Sequence, residues 1–104
     1  MKRGETFRFF AKHFWELMKS QNGSCALTGQ KFKPDNVEVE LKEPYREGGR
    51  TDFSNHYLIL RPLAAMARYA SEEEIIDLAI EIVKFRGKER GWELKKVARR
   101  RKRA

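Results

Sequence analysis

Apolar side chains recur every three or four residues near the start of the chain. Phe7, Phe10 and Leu17 belong to this pattern, which predicts an amphipathic helix over residues 5–20. Asn22-Gly23 favours a turn directly after it. We expect the aromatic residues of this helix to lie mainly in the core.

Two short segments in the middle of the chain have the pattern of strands. Residues 37–42 alternate strictly, which predicts a half-buried strand with Glu38 and Glu40 on its polar face. Residues 56–60 form a second, more apolar strand. Gly48-Gly49 supports a reversal of the chain between the two.

The second half of the chain predicts two further helices. Pro62 suits the first turn of a short helix that continues over residues 63–69. Ser71 and Glu74 have the spacing of a capping box at the start of a longer apolar helix. Gly87 is a suitable residue to end that helix.

Positive charge is concentrated at the C-terminal end. Residues 84–104 hold eleven Lys/Arg and two Glu, a net charge of +9, whereas residues 1–83 have a net charge of −1. We therefore predict a single domain over residues 1–87 and a basic extension over residues 88–104, in which the helix continues through Trp92 to Val97. Such an extension is typical of a segment that binds nucleic acid or another polyanion.

Other features of composition limit the class of protein. The one cysteine, Cys25, allows no intrachain disulfide and no zinc knuckle, and we expect it to be a small buried residue. The chain has no run of about 18 apolar residues, so no membrane contact is expected. A cytoplasmic location, with association to the nucleoid as one form of it, is the expectation.

A series of short motifs follows one another in a characteristic order. C-x-L-T-G occupies residues 25–29, P-D-N occupies residues 34–36, and E-L-K-E-P-x-x-x-G-G occupies residues 40–49 before Asn55. Taken together, residues 24–83 resemble an HNH (ββα-metal) endonuclease domain, of the branch that lacks zinc-knuckle cysteines. The resemblance implies a fold of two antiparallel strands and a helix, and a relation to DNA.

The resemblance also implies that the catalytic groups are degenerate. The position of the general base is Leu41, which cannot accept a proton. Glu40 stands at the position of the neighbouring acid, Asn55 at that of the orienting amide, and Ala64 near that of the helix metal ligand. We therefore predict no catalytic residues, no metal and no cofactor; Mg²⁺ or another divalent metal would enter only with residual nuclease activity.

These observations predict an α+β protein with an HNH-like ββα core, an N-terminal amphipathic helix and a C-terminal helix with a basic tail. The first hypothesis for its function is a non-catalytic protein that binds nucleic acid, with DNA expected before RNA. The residues predicted to contact nucleic acid are basic: Lys95, Lys96, Arg99, Arg100, Arg101, Lys102, Arg103, Arg50 and Arg68.

Two alternatives remain open on the sequence. In one, a phage or mobile-element protein binds a polymerase, nuclease or defence complex through acidic residues of the former active-site face, which are Glu38, Glu40, Glu43 and Glu47. In the other, the chain is a metal-dependent endonuclease whose catalytic groups have moved, with His13 or His56 as the base.

Overall fold

A computed structural model describes residues 7–44 and 52–97 of the chain. These residues form three helices and a two-stranded antiparallel sheet, which confirms the predicted α+β class. In chain order the elements are α1 (Ala11–Ser20), β1 (Val37–Leu41), β2 (His56–Leu60), α2 (Arg61–Ala67) and α3 (Glu72–Arg86), with short 3₁₀ helices at Phe53–Asn55 and Gly87–Arg90.

The two strands pair over their full length. Leu41 lies opposite His56, and Val37 lies opposite Leu60. Since α2 starts directly after β2, the predicted order of strand, strand and helix is confirmed. Every residue of β1 is half-buried, as its alternating pattern predicts.

The core is built on β2. Tyr57, Leu58 and Ile59 are fully buried, because β2 is apolar on both faces and β1 is not. Tyr57 and Ile59 share one face of the sheet and pack in a cluster with residues from the loop after α1 and from α2 and α3, which are Cys25, Ala67 and Ile75. Leu58 points to the other face, and its carbonyl accepts a hydrogen bond from Ala26 N–H at 3.1 Å.

The start of α3 follows the predicted capping box. Ser71 Oγ accepts a hydrogen bond from Glu74 N–H at 3.1 Å, and Glu74 Oε1 accepts one from Ser71 N–H at 2.8 Å. Acidic residues in the first turn complement the positive end of the helix dipole. Pro62 lies in the first turn of α2, and α3 ends at Gly87, also as predicted.

The prediction for α1 is wrong at its start, which lies at Ala11. Phe10 has extended backbone geometry, and its N–H donates to His13 Nδ1 at 2.9 Å. Ahead of it, the rings of Phe7 and Phe9 lie 5.2 and 5.0 Å, centroid to centroid, from the imidazole of His56. We attribute the extended conformation to these contacts, which tie the segment to β2.

Burial along α1 also departs from the expectation. Leu17 is buried, but Phe10 and Trp15 are more than half exposed and therefore lie outside the core. The apolar surface of α1 is wider than the strip that β2 covers, because within residues 7–44 and 52–97 the sheet has two strands.

The prediction that helix continues through Trp92 is also wrong. The 3₁₀ helix ends at Arg90, Gly91 adopts a left-handed conformation with φ of 83°, and residues 92–97 have no regular structure. The left-handed residue turns the chain back, and Trp92 N–H donates to the Gly87 carbonyl at 2.8 Å. Across residues 7–44 and 52–97, no helix is both long and apolar enough to cross a membrane.

Candidate nucleic-acid interface

Trp92 is held in place by its backbone while its ring faces solvent. A Cβ atom at Gly87 would lie 2.9 Å from Val83 Cγ1 and 3.0 Å from the Trp92 carbonyl oxygen, so only glycine fits this approach without a shift. The hydrogen bond from Trp92 N–H to Gly87 closes the same turn. The side chain of Trp92 nevertheless remains 69% exposed.

Cations lie close to this tryptophan along the chain. Residues 84–97 hold six Lys/Arg and two Glu, a net charge of +4. Lys84 pairs with Glu81, and Arg86 pairs with Glu89. The other four cations are exposed and make no ion pair within the part of the chain that the structure describes: Lys88, Arg90, Lys95 and Lys96.

An open cleft of about 530 Å³ lies between the end of α3 and the returning segment. Ile82 and Val83 line it from α3, Trp92 and Leu94 line it from the returning segment, and Arg90 also contributes to its wall. Aromatic surface beside cations is the combination that single-stranded nucleic acid requires, because bases stack on the ring and phosphates pair with the charges.

The structure separates the predicted nucleic-acid contacts into different places. Lys95 and Lys96 lie on the exposed segment next to Trp92. Arg68 lies at the end of α2, remote in sequence from that segment, and donates to Glu40. The remaining predicted residues lie outside the described part of the chain: Arg50, Arg99, Arg100, Arg101, Lys102 and Arg103.

The sequence alone places Trp92 amid Lys88, Arg90, Lys95 and Lys96, where its ring can pack on the domain or stack on a base, but it does not indicate the turn that holds Trp92. Lys88 and Arg90 lie on the 3₁₀ helix between Gly87 and Gly91. The two glycines were the available signal, since one permits the close approach to Trp92 and the other the left-handed turn.

The second candidate region lies between β1 and α2. Arg68 Nε donates to Glu40 Oε2 at 3.3 Å, and Arg61 Nε donates to Glu38 Oε2 at 2.9 Å. Burial raises the pKa of Glu40, and the nearby Arg68 lowers it by less, so the net shift is upward. The acidic face of β1 is thus partly neutralised by arginines of α2.

These ion pairs bear on the predicted protein-binding surface. Glu38 and Glu40 are already engaged within the chain, and Glu43 is exposed in the loop after β1. Glu47 lies outside the described residues. A protein partner at this face therefore stays a prediction, and no contact in the fold adds support to it.

Asn55 acts on the backbone of the loop that follows β1. Its side-chain Oδ1 accepts from Glu43 N–H at 2.9 Å, and its Nδ2 donates to the Glu43 carbonyl at 3.0 Å. Its own carbonyl accepts from Lys42 N–H at 2.7 Å. The amide therefore fixes the loop, as side-chain bonds to backbone commonly do.

Two other positions of the active site that the resemblance implies, Leu41 and Ala64, are apolar. Ala64 is buried in α2, and Leu41 is half-buried at the end of β1. Leu41 lies directly across the sheet from His56, so both side chains are on one face and Glu40 is on the other. This arrangement does not bring an imidazole beside the Glu40 carboxylate.

Both histidines lie in a cluster of aromatic rings instead. His13 lies 5.4 Å from Phe53, and His56 lies 5.0 Å from Phe9, centroid to centroid. Nδ1 of His13 is bonded to Phe10 N–H, and Nδ1 of His56 lies 2.8 Å from the Asp52 carbonyl oxygen. Over the described ranges, no three His, Cys, Asp or Glu side chains are placed to hold a metal ion together.

Comparison with known proteins gives no further identification. No protein-family model, no curated protein and no solved structure matches the chain.

Proposed function

We propose that this protein binds nucleic acid, with DNA as the first expected partner, and does not cleave it. The observation that carries the proposal is Trp92, an exposed aromatic residue with a fixed backbone among four exposed cations. The basic residues 99–103 continue the same charge along the chain.

The proposed mode of binding has two parts. Lys88, Arg90, Lys95 and Lys96 pair with phosphates, which supplies affinity without sequence preference. Trp92 stacks on a base, which requires a base that is not already stacked in a duplex. The protein should therefore favour single-stranded over double-stranded nucleic acid of equal length.

A matched pair of tryptophan variants tests the stacking contact. Trp92→Ala should weaken binding to a single-stranded oligonucleotide by about 5- to 150-fold, as expected for one base stacked on one ring. Trp15→Ala is the control, because Trp15 is also mostly exposed but lies on α1. Fluorescence anisotropy with labelled DNA and RNA of one sequence measures both effects, and equal losses in the two variants would contradict the proposal.

Salt dependence tests the phosphate contacts. Replacing Lys95 and Lys96 with Gln should reduce the slope of log affinity against log salt by about 0.7 for each residue on a single strand. The same changes at Lys12 and Lys19, exposed cations of α1, are the control. Removal of residues 95–104 should abolish most of the affinity, and unchanged binding would exclude the basic segment as the contact.

The absence of cleavage is tested separately from binding. Supercoiled plasmid should stay intact with Mg²⁺, Mn²⁺, Ni²⁺ or Zn²⁺, because the positions of the resembled base and helix ligand are Leu41 and Ala64. Nicking that disappears in Glu40→Gln or His56→Ala would replace this proposal with an endonuclease whose catalytic groups have moved.

A further inference from the structure

One stripe of apolar residues on α3 starts in the core and ends in solvent. Ile75 is 5% exposed, and the exposed fraction rises to 49% at Leu78, 58% at Ile82 and 84% at Phe85. The spacing of three, four and three residues places all four on one side of the helix. A contiguous apolar stripe that leads out of the core in this way is a candidate contact surface.

Charge along α3 is divided between its two ends. Five acidic residues occupy its first ten positions and none of the positions after them: Glu72, Glu73, Glu74, Asp77 and Glu81. The end of α3 and the following 3₁₀ helix carry Lys84, Arg86, Lys88 and Arg90, with one acid, Glu89. A second α3 helix running in the opposite direction would therefore meet opposite charge at both ends.

We propose that the occupant of this stripe is a second copy of the same chain, with the two α3 helices packed antiparallel about a two-fold axis. Such an interface is self-complementary, so each contact occurs twice. Leu78 packs against Ile82 of the second copy, and Phe85 lies at each end of the contact. Ala79, a small residue, lies close to the axis and allows the helices to approach.

The charges that flank the stripe fit this register. Glu72 meets Arg86 of the second copy, which also pairs with Glu89 of its own chain. Within one chain Glu72 and Arg86 are separated by 14 residues, about 21 Å along a helix, so they do not pair internally. Complementary charges at such flanking positions select partner and orientation in helix pairs.

The exposed apolar area of the stripe is a fraction of what a standard dimer interface buries, so flanking polar side chains have to supply the rest. An aromatic side chain covers about 150–250 Å², and Phe85 is 84% exposed. Leu78 and Ile82 add about half of their surface each, and the flanking charged side chains extend the contact. A standard interface buries about 800 Å² per partner, of which this apolar stripe would form the centre.

Sedimentation of the full chain without nucleic acid tests the proposed dimer. We expect a monomer–dimer equilibrium, with Ile82→Ser and Phe85→Ser each raising the dimer dissociation constant by about tenfold or more. Ile80→Ser is the matched control, since Ile80 is 42% exposed but points away from the stripe. A monomer at all concentrations, or a dimer lost only with Ile80→Ser, would overturn the proposal and leave the stripe to another partner.

Charge reversal tests the antiparallel arrangement. Glu72→Lys and Arg86→Glu should each weaken the dimer, because each places like charges together twice, and the double variant should restore it. Circular dichroism of each variant confirms that the monomer is folded. Two additive losses with no restoration would exclude this register, because only a contact between copies joins these distant residues.

Discussion

Gln21 hydrogen-bonds both backbone groups of Leu58, as a neighbouring strand would. Its Nε2 donates to the Leu58 carbonyl at 3.0 Å, and its Oε1 accepts from Leu58 N–H at 3.0 Å. Leu58 is fully buried on the edge of β2 that does not face β1. The side chain of Gln21, directly after α1, thus hydrogen-bonds backbone groups on the edge of β2 that no strand pairs with. These bonds join the helix to the sheet.

Gln21→Leu should reduce the free energy of unfolding by about 1–3 kcal/mol. The substitution leaves Leu58 N–H buried without a partner, whereas the Leu58 carbonyl keeps its bond from Ala26 N–H. Urea denaturation measures the loss. Gln30→Leu, at an exposed loop position, is the control, and equal effects in the two variants would contradict this role for Gln21.

Local patterns in the sequence predicted most of the elements but not how they are joined. The alternation in β1 and the Ser71–Glu74 capping box both depend on near neighbours, and both are confirmed. The contact between Gln21 and Leu58 spans 37 residues, and no local pattern indicates it. The extended segment before α1 was missed for the same reason, since its aromatic contacts reach β2.

Tyr57 brings a hydroxyl into the core without a hydrogen-bond partner among the described residues. Burial, followed by the charges of Glu72, Glu40 and Cys25, raises the pKa of Tyr57 to about 12. The folded state therefore favours the neutral phenol over the phenolate. The resulting contribution to the free energy of unfolding is fully present below pH 10. It is lost as the pH rises through the raised pKa.

Tyr57→Phe should increase the free energy of unfolding at pH 7 by about 1 kcal/mol, because it removes an unsatisfied buried group and keeps the ring. The variant should also lose less stability than the parent between pH 10 and 12. Thermal or urea denaturation across this range measures the difference. A lower stability at pH 7 would indicate that the hydroxyl has a partner that matters.

Removing the charge of Glu40 and removing that of Arg68 should have different effects on stability. Because burial raises the pKa of Glu40 above its ordinary value of 4.5, folding favours the protonated acid. That contribution is present below pH 4.5 and is lost as pH rises through the raised pKa. Glu40→Gln should therefore keep or increase stability at pH 7, although it removes an ion pair.

Arg68→Ala should cost up to about 1 kcal/mol at pH 7, because it leaves a partly buried carboxylate without its cation. The loss should disappear at low pH, where Glu40 is protonated, and in the double variant with Glu40→Gln. Denaturation at pH 7 and pH 3.5 gives the four values of the cycle. An Arg68→Ala effect that is unchanged by Glu40→Gln would show that the pair is not coupled.

The charge distribution along the sequence predicted some residues of the candidate interface, whereas the position of its tryptophan depends on backbone geometry. Lys95 and Lys96 were found because net charge depends on sequence alone. The placement of Trp92 depends on a missing Cβ at Gly87 and on the left-handed turn at Gly91, neither of which a charge count reveals. For the same reason the sequence predicted a continuing helix where the chain reverses.

Gly87→Ala should release Trp92 from its position. The new Cβ would lie 3.0 Å from the Trp92 carbonyl and 2.9 Å from Val83, so the returning segment has to shift. We expect exchange of the Trp92 amide proton to accelerate by about 5- to 30-fold, equivalent to 1–2 kcal/mol of local stability. Gly29→Ala is the control: it introduces strain of a different kind, at a left-handed glycine with φ of 77°, and it lies in the loop after α1, away from Trp92. If affinity for single-stranded DNA is unchanged while exchange accelerates, the fixed position of Trp92 is not what binding requires.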